Sequence, residues 1–236
     1  MKRDSVSIIV PTYREAENIP ELVERLEKIK DLFESFEVFI MDDNSPDETQ
    51  NVVANLKKDW LKLIVRKTNR GLSPAVIDGM KLAQKSILLC MDADLSHPPE
   101  AIPAMVDALT EGHDFVVGSR YIEGGKLDEE WTLFRRINSL VATAMARPFT
   151  NIKDPMSGFF ALRRESFERA DRLNPIGYKI GLELIVKAHC KNAKEIPIHF
   201  ADRVKGESKL NMKEQLRYLQ HILRLASYKI SSLFKL

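Results

Sequence analysis

Two pairs of aspartates, each directly after an apolar run, are the residues of this chain best suited to chemistry. Asp92 and Asp94 follow the run SILLCM, and Asp42 and Asp43 follow the run FEVFIM. The apolar runs predict buried strands. Carboxylates at the C-terminal end of such a strand lie where an open α/β sheet places its ligand site. A solvated turn can explain one acidic pair, but two such pairs are much harder to attribute to chance.

Asp92 and Asp94 are predicted to bind a divalent cation and to be catalytic. Hard oxygen ligands at a strand end suit Mg²⁺ or Mn²⁺, and such ions commonly hold a diphosphate. Asp94 is the first candidate for a direct ligand, and Asp92 is expected to share the metal. The small side chain of Ala93 lies between them. His97 is interpreted as a structural residue at the start of a helix.

The composition is ordinary for a globular protein. The 236 residues are 44% hydrophobic and 30% charged, and the net charge of +2 gives no reason to propose nucleic acid as a partner. Cys90 and Cys190 lie in apolar surroundings without CxxC spacing, which predicts buried thiols in a reducing compartment. Neither a signal peptide nor a membrane-spanning run is found in the sequence, and a cytosolic protein is expected.

Alternating strands and helices are predicted to position the aspartates. Apolar runs predict strands at 6–10, 36–41, 61–65, from 86 onward and at 114–119. Helical spacing predicts the intervening helices, one of them capped by Asn44 or Ser45 and beginning near Pro46. The alternation implies the α/β class, with a mostly parallel, Rossmann-like sheet flanked by helices.

The alternation changes after residue 120. The predicted elements are a polar loop or flap at 121–131, a helix at 133–146, a turn into a short strand at 154–164, a late strand at 194–200 and a charged loop at 202–210.

A basic amphipathic helix is predicted for the C-terminal segment 212–236, after a catalytic domain at 1–211. Its apolar residues share one stripe at helical spacing, namely Met212, Leu216, Leu219, Leu223, Ala226, Ile230 and Leu233. The other faces are basic, which is typical of a helix that contacts a membrane surface. Packing of the stripe on its own domain is at least as well supported for the first half of the helix.

Seven motifs together resemble family 2 glycosyltransferases, specifically the dolichol-phosphate (polyprenyl-phosphate) mannose synthases. In order they are PTYREAEN (11–18), DDNSPDET (42–49), NRGLSPAVIDGM (69–80), DADLSHPPE (92–100), VVGSRY (116–121), DPMSGFFALRR (154–164) and DRVKGESKL (202–210). The resemblance extends to about residue 225. It implies a GT-A fold, a nucleotide-sugar donor, Mg²⁺ or Mn²⁺, and a lipid phosphate acceptor. Many relatives continue into transmembrane helices, whereas no such segment is recognised in this sequence. The chain is therefore expected to be a peripheral protein on the cytoplasmic face of a membrane.

The resemblance implies a donor site around the first two strands. Pro11, Tyr13 and Glu15 follow the first strand, where an aromatic ring can cover a base and a carboxylate can accept hydrogen bonds. Without the resemblance, Glu15 would be interpreted as an acid that stabilises a helix N-terminus. Asp42 corresponds to the residue that holds the base or the ribose, with Ile40 as an apolar contact. The centre of the implied donor site is formed by Asp92, Ala93 and Asp94, where Asp92 shares the metal or the ribose and Ala93 leaves room for the sugar nucleotide.

Further residues are assigned by the same resemblance. Asp43 is expected only to support the turn. Ser96 stands where several relatives carry a Gln that ligates the metal, and its hydroxyl or a bound water is expected to substitute. The basic residues expected to meet the donor diphosphate are Lys179, Arg203 and Lys209.

The acceptor phosphate is assigned to Arg120, Arg135 and Ser139, and Arg120 is also predicted to be catalytic. A phosphate monoester is largely a dianion at neutral pH and needs a cationic pocket rather than a general base. Arg135 and Ser139 share one helix face at i, i+4 spacing, and arginine forks suit phosphate oxygens. Without the resemblance, Arg135 would be interpreted as part of a solvated face. Asp154 is expected to border the acceptor.

The resemblance implies an inverting transferase that moves mannose from GDP-mannose to dolichyl or another polyprenyl phosphate. A UDP-glucose-dependent polyprenyl-phosphate glucosyltransferase is the alternative within this class. A nucleotidyltransferase also pairs carboxylates with Mg²⁺, but it leaves the DPMSGFF turn and the basic tail without a use. A domain that binds nucleotide sugar without turnover is disfavoured by the complete set of Asp92, Asp94, Arg120 and Arg135.

Overall fold

Seven strands form one sheet covered by helices on both faces. The structure is a computed structural model. It describes residues 2–127, 133–200 and 212–233, with side chains for 2–126, 140–200 and 215–232. Nine strands occur in these ranges: β1 (Val6–Thr12), β2 (Phe36–Asp42), β3 (Leu61–Val65), β4 (Ile87–Cys90), β5 (Phe115–Ser119), β6 (Lys126–Leu127), β7 (Phe160–Arg163), β8 (Ala193–Pro197) and β9 (His199–Phe200).

The large sheet is mostly parallel, as predicted, with order β3-β2-β1-β4-β7-β5-β8. Strand β1 pairs in parallel with both β2 and β4. Strand β7 is antiparallel to its neighbours β4 and β5. The predicted late strand at 194–200 is divided between two sheets, because β8 pairs with β5 whereas β9 pairs with β6. That second pairing makes a two-stranded ribbon out of part of the predicted flap.

The helices are α1 (Ile19–Ile29), α2 (Thr49–Asn55), α3 (Leu72–Leu82), α4 (Ile102–Thr110), α5 (Leu133–Ala146), α6 (Arg164–Glu168), α7 (Ile180–Lys187) and α8 (Met212–Leu233). Alternate residues of β1 divide the core, as the pleat requires. Ile8 and Val10 pack with α1 and α4, whereas Ile9 packs with α3 and α7. The apolar residues of α1 recur at helical spacing, and all five are buried, namely Ile19, Leu22, Val23, Leu26 and Ile29.

One predicted helix start is wrong. Helix α2 begins at Thr49 rather than near Pro46. Ser45 does not cap this helix, because its backbone N–H and its hydroxyl both donate to the Asp42 carboxylate. The segment around Asn44, which has a φ of 54°, is therefore a turn closed onto Asp42.

Helix α8 packs on the domain with a face other than the predicted stripe. Leu216, Leu219, Leu223 and Ile230 are exposed by 43–61%. The buried face instead includes Tyr218, His221 and Leu225. The stripe is thus not core in the part of α8 whose side chains are described.

Polar contacts hold this buried face of α8. The Tyr218 hydroxyl donates to the carbonyl of Ala142 in α5 at 2.7 Å. His221 Nδ1 accepts the N–H of Ile176 at 3.3 Å, and burial lowers the pKa of this imidazole. Among the helices of the described ranges, none combines the length and apolar character needed to cross a membrane.

Both cysteines are free thiols with raised pKa values. Cys90 is buried in the sheet, and burial raises the pKa of its thiol well above the usual value. Cys190 is partly buried, and burial raises its pKa to about 12. Both thiols are therefore protonated and unreactive near neutral pH.

Close packing of α3 on β1 gives a test of the fold. A Cβ at Gly79 would lie 2.6 Å from Cγ2 of Ile9, which is fully buried and cannot move aside. We expect Gly79→Ala to lower the free energy of unfolding by about 1–3 kcal/mol despite the better helix propensity of alanine. Urea denaturation measures this change. Lys81→Ala, on the exposed side of α3, is the control, and equal stabilities of the two variants would contradict the packing.

Candidate functional site

A cleft of about 930 Å³ opens at the edge of the sheet where the parallel strands end. Its lining includes Pro11 near the end of β1, Asp43 after β2, Asp92 after β4 and Arg120 after β5. Parallel strands deliver the residues that follow them to one edge, which explains how positions far apart in sequence meet. The cleft therefore brings together several of the residues predicted from the sequence.

The two carboxylates after β4 both line this cleft. The Asp92 side chain is 28% exposed, and Asp94 is nearly buried. The hydroxyl of Ser96 donates to Asp94 Oδ1 at 2.5 Å, and the Ser96 N–H donates to the same oxygen at 3.2 Å. Ser96 itself is fully buried and does not line the cleft. In the structure Ser96 therefore orients Asp94, and its metal ligation stays a prediction.

The residues present fit a divalent cation that is completed by a substrate. Asp92 and Asp94 both line the cleft. They belong to a turn that includes Leu95, whose φ is 65°. Within the described ranges, no three His, Cys, Asp or Glu side chains cluster as a complete metal site. Mg²⁺ and similar ions are commonly held by one or two carboxylates plus phosphate oxygens and water. The acidic pair matches that kind of site.

The second acidic pair is arranged differently from the prediction. Asp42 is fully buried, and its carboxylate accepts hydrogen bonds from Ser45 and from Gln50 Nε2, the latter at 2.9 Å. Ile40 is also fully buried and, like Asp42, lies outside the cleft lining. Asp43 lines the cleft instead. The turn thus directs the Asp42 carboxylate into the protein, and the donor contacts of Asp42 and Ile40 stay a prediction.

Asp43 is held in place by the segment before α3. Its carboxylate pairs with the buried guanidinium of Arg66 and accepts the N–H of Gly71 at 2.6 Å. Arg66 also contacts Asp78 at 3.0 Å. These contacts connect β2, β3 and α3 at the cleft wall. Sequence reasoning assigned Asp43 only a turn-supporting role, since adjacent carboxylates look alike in a sequence.

Tyr13 presents an aromatic surface at the cleft, as predicted. Its ring is 36% exposed and lies 5.2 Å from the guanidinium carbon of Arg70 and 5.4 Å from that of Arg14. Glu15 also lines the cleft, and its carboxylate accepts the Asn18 amide at 2.7 Å. Arg70 was not predicted as a site residue, although it lies within the NRGLSP motif.

Arg120 is fixed by a buried ion pair. Its Nε and Nη2 each donate to Asp154 at 2.7 Å, and its backbone N–H donates to the same carboxylate. Asp154 is fully buried, and its own N–H donates to Glu195. Burial lowers the pKa of Arg120, but the hydrogen bonds and charge of Asp154 outweigh burial and raise it overall. Asp154 thus anchors the Arg120 guanidinium, and its expected position beside the acceptor stays a prediction.

Part of the cleft lining is apolar and comes from two helices. Val141, Ala142 and Met145 of α5 line the cleft beside Leu216 and Leu219 of α8. The exposed stripe of α8 is therefore continuous with the cleft. The sequence predicted the stripe but not this continuity.

The structure describes only some of the remaining residues that were predicted to bind phosphate groups. Lys179 lines the cleft at the N-terminus of α7. Arg135 and Ser139 belong to α5, but their side chains lie outside the described part. Arg203 and Lys209, with the predicted charged loop, also lie outside the described residues.

Comparison with known proteins identifies the family. The sequence profile described as glycosyl transferase family 2 matches residues 7–170. A dolichol-phosphate mannosyltransferase of Pyrococcus furiosus is 42% identical over 94% of this chain, and the chain spans 64% of that protein. Proteins of the same name from Mycosarcoma maydis and Saccharomyces cerevisiae are 41% and 39% identical, over 97% and 96% of this chain and 81% and 88% of theirs.

Solved structures support the fold. Glucosyl-3-phosphoglycerate synthase from Mycobacterium tuberculosis, crystallised with Mn²⁺, UDP and phosphoglyceric acid, aligns with a TM-score of 0.68 at 15% identity, over 94% of this chain and 77% of that one. Mannosyl-3-phosphoglycerate synthase from Rubrobacter xylanophilus aligns with a TM-score of 0.69 at 17% identity, over 99% and 76%. These alignments confirm the predicted GT-A fold.

The fold and the acidic edge define a nucleotide-sugar glycosyltransferase architecture. The chain belongs to glycosyl transferase family 2, and the three relatives described above are dolichol-phosphate mannosyltransferases. The resemblance seen in the motifs is thereby confirmed.

The buried pair of Arg120 and Asp154 gives a prediction on stability. Asp154→Asn keeps the side-chain shape but leaves the Arg120 charge uncompensated, and we expect a loss of about 3–5 kcal/mol in the free energy of unfolding. Chemical denaturation measures it. Glu111→Gln, which breaks the exposed pair with Lys194, is the control and should change stability little. A similar small effect of Asp154→Asn would show that the pair is not buried.

Proposed function

We propose that this protein transfers mannose from GDP-mannose to dolichyl or another polyprenyl phosphate, with inversion at the anomeric carbon. One observation carries the proposal: a single cleft joins the Asp92 and Asp94 carboxylates, the anchored Arg120 and an exposed apolar stripe. A diphosphate donor, an anionic acceptor group and a lipid tail each find a matching surface there. The names of the family 2 relatives support the same substrate class.

The nucleotide of the donor is proposed to lie against Pro11, Tyr13 and Glu15. The exposed ring of Tyr13 supplies a stacking surface, and the Glu15 carboxylate accepts hydrogen bonds from base or ribose donors. We assign to Asp43 the contact expected of Asp42, because Asp43 faces the cleft. Arg70 beside Tyr13 adds a positive charge near the donor phosphates.

Asp92 and Asp94 are proposed to hold Mg²⁺ or Mn²⁺, with Ala93 giving the donor close access. The bound ion would neutralise the diphosphate leaving group. Ser96 keeps Asp94 oriented through its hydroxyl hydrogen bond. Lys179 at the cleft wall is proposed to approach the same diphosphate, together with Arg203 and Lys209 from the segment that follows Phe200.

The acceptor phosphate is proposed to bind Arg120, Arg135 and Ser139. A phosphate dianion is already a competent nucleophile and requires no residue to remove a proton. Arg120 is preorganised for this task, because Asp154 fixes the plane of its guanidinium by two hydrogen bonds. Such a fixed cation orients the phosphate oxygen toward the anomeric carbon without reorganising during the reaction.

The lipid part of the acceptor is proposed to reach the cleft along the exposed stripe of α8 at a membrane surface. The stripe supplies apolar area next to Leu216 and Leu219 in the cleft wall. Residues 212–236 carry several Lys and Arg against Glu214 alone, which favours anionic lipid. The cytoplasmic face of a membrane is proposed as the site of action, since its anionic leaflet attracts basic segments.

Loss of one acidic ligand tests the proposed chemistry. Asp94→Ala should abolish transfer of mannose to polyprenyl phosphate and weaken nucleotide binding in the presence of Mn²⁺. The variant should stay folded, with a lower melting temperature because buried Ser96 loses its acceptor. Asp31→Ala removes a carboxylate that is 85% exposed and is the matched control. Near-normal turnover of Asp94→Ala, or full activity of the native enzyme in excess EDTA, would overturn the assignment.

The acceptor assignment predicts separate effects on the two substrates. Arg135→Ala should weaken the use of polyprenyl phosphate by about 1.5–3 kcal/mol, because a charged phosphate contact is lost. Binding of GDP-mannose, measured by calorimetry, should stay close to normal. Arg147→Ala on the exposed surface after α5 is the control. Equal losses of donor binding and acceptor use would contradict the assignment.

The exposed stripe predicts binding to anionic liposomes. Leu223→Asp places a charge on the stripe at a residue that is 61% exposed, so it should reduce co-sedimentation without unfolding the domain. Burial of one leucine is worth about 1.5–3 kcal/mol. Ser231→Asp adds the same charge at an exposed position of the same helix away from the stripe and should reduce binding less. Indistinguishable losses in the two variants would show that only net charge matters.

A further inference from the structure

His97 lies in the segment between β4 and α4, before the helix begins at Ile102. It is 2% exposed, yet it belongs to the cleft lining together with Asp92. Its Nδ1 accepts the backbone N–H of Asp92 at 2.9 Å. This hydrogen bond closes the turn formed by residues 92–97.

Two aromatic rings fix the imidazole. Phe159 stacks on it, with 5.1 Å between ring centroids and an interplanar angle of 16°. Phe200 meets it edge-on at 5.7 Å. A Cβ at position 158 would lie 3.4 Å from His97 Cε1 and 3.5 Å from Asp92 Oδ2, so Gly158 packs against both residues. These contacts leave the ring little freedom to rotate.

Phe200 also extends this arrangement to the acceptor side of the cleft. The guanidinium carbon of Arg120 lies 5.0 Å from the centroid of the Phe200 ring, a cation–π distance. The same ring therefore contacts His97, which holds the Asp92 backbone, and Arg120, which is held by Asp154. We name His97 and Phe200 together the aromatic clamp.

We propose that His97 is a positioning residue that sets the geometry of the acidic pair, and that Phe200 joins this geometry to Arg120. The inference rests on the proposed function, since it gives the clamp a role in metal binding. Asp92 and Asp94 need a fixed backbone to present their oxygens at a constant separation. Removing the Nδ1 acceptor leaves the Asp92 N–H without its partner and loosens the turn.

Two substitutions at position 97 separate the hydrogen bond from the packing. His97→Asn keeps an acceptor oxygen at the position of Nδ1 but loses the ring. His97→Phe keeps the ring on Phe159 but loses the acceptor. Mn²⁺ binding in the presence of GDP, followed by electron paramagnetic resonance, reports the geometry of the acidic pair independently of turnover.

The aromatic clamp predicts different Mn²⁺ affinities for the two variants. His97→Phe should bind Mn²⁺ about tenfold or more weakly, whereas His97→Asn should stay within about threefold of the native protein. A structural role alone would make His97→Asn the worse variant, because it loses the stacking on Phe159. Native-like Mn²⁺ binding by His97→Phe, or an equal deficit in both variants, would overturn the proposal.

Variants of Phe200 provide a second test that does not depend on a buried substitution. Phe200→Leu should weaken Mn²⁺ binding and raise the KM for polyprenyl phosphate, and Phe200→Tyr, which keeps the ring, should restore both. Phe200→Leu with both quantities unchanged would also overturn the proposal. Failure of the native protein to bind Mn²⁺ with GDP would refute the proposed metal dependence, a result distinct from failure of the clamp alone.

Discussion

The direction of the strands is the constraint on which the site depends. Strands β1, β2, β4 and β5 are parallel, so the segments that follow them share one edge of the sheet. Strand β7 runs the opposite way between β4 and β5, and the segment before it therefore lies at the same edge. This reversal brings Asp154 to Arg120 and Gly158 to Asp92. A fully parallel sheet would place the start of that strand at the far edge.

Two charged side chains that line the cleft are each held by an ion pair with a buried partner. Asp154 offsets Arg120, and Arg66 offsets Asp43. Buried ions of this kind keep their charge because each has a partner with good geometry. The consequence is a site with fixed orientations before any substrate arrives, which is the condition under which electrostatic stabilisation is effective. The apolar wall of α5 and α8 lies beside these polar units and suits an amphipathic acceptor.

Much of the fold followed from the sequence because apolar runs and helical spacing are local signals. The strand at 61–65 and the helix at 133–146 have the predicted bounds. Helix α7 was not predicted, because IGLELIVK is apolar almost throughout and lacks a clear helical period. The late strand was predicted as one, since its division between two sheets depends on partners distant in sequence.

Prediction of the site was limited by geometry that residue types do not encode. Asp42 and Asp43 are chemically identical, and only the turn at Asn44 determines which one faces the cleft. The pairing of Arg120 with Asp154 joins residues from different strands and has no local signature. Asp92 and Asp94 were found because one buried strand delivers both to its end.

The central claim is the identity of the donor and acceptor, and one measurement tests it most directly. Purified protein is given GDP-mannose, UDP-glucose or UDP-GlcNAc separately, with a polyprenyl phosphate and Mn²⁺, and the lipid phase is analysed for sugar. The account predicts mannose in the lipid phase with GDP-mannose, and little or no transfer from the two UDP-sugars. Preferential transfer from UDP-glucose, or no lipid-linked sugar from any donor, would contradict it.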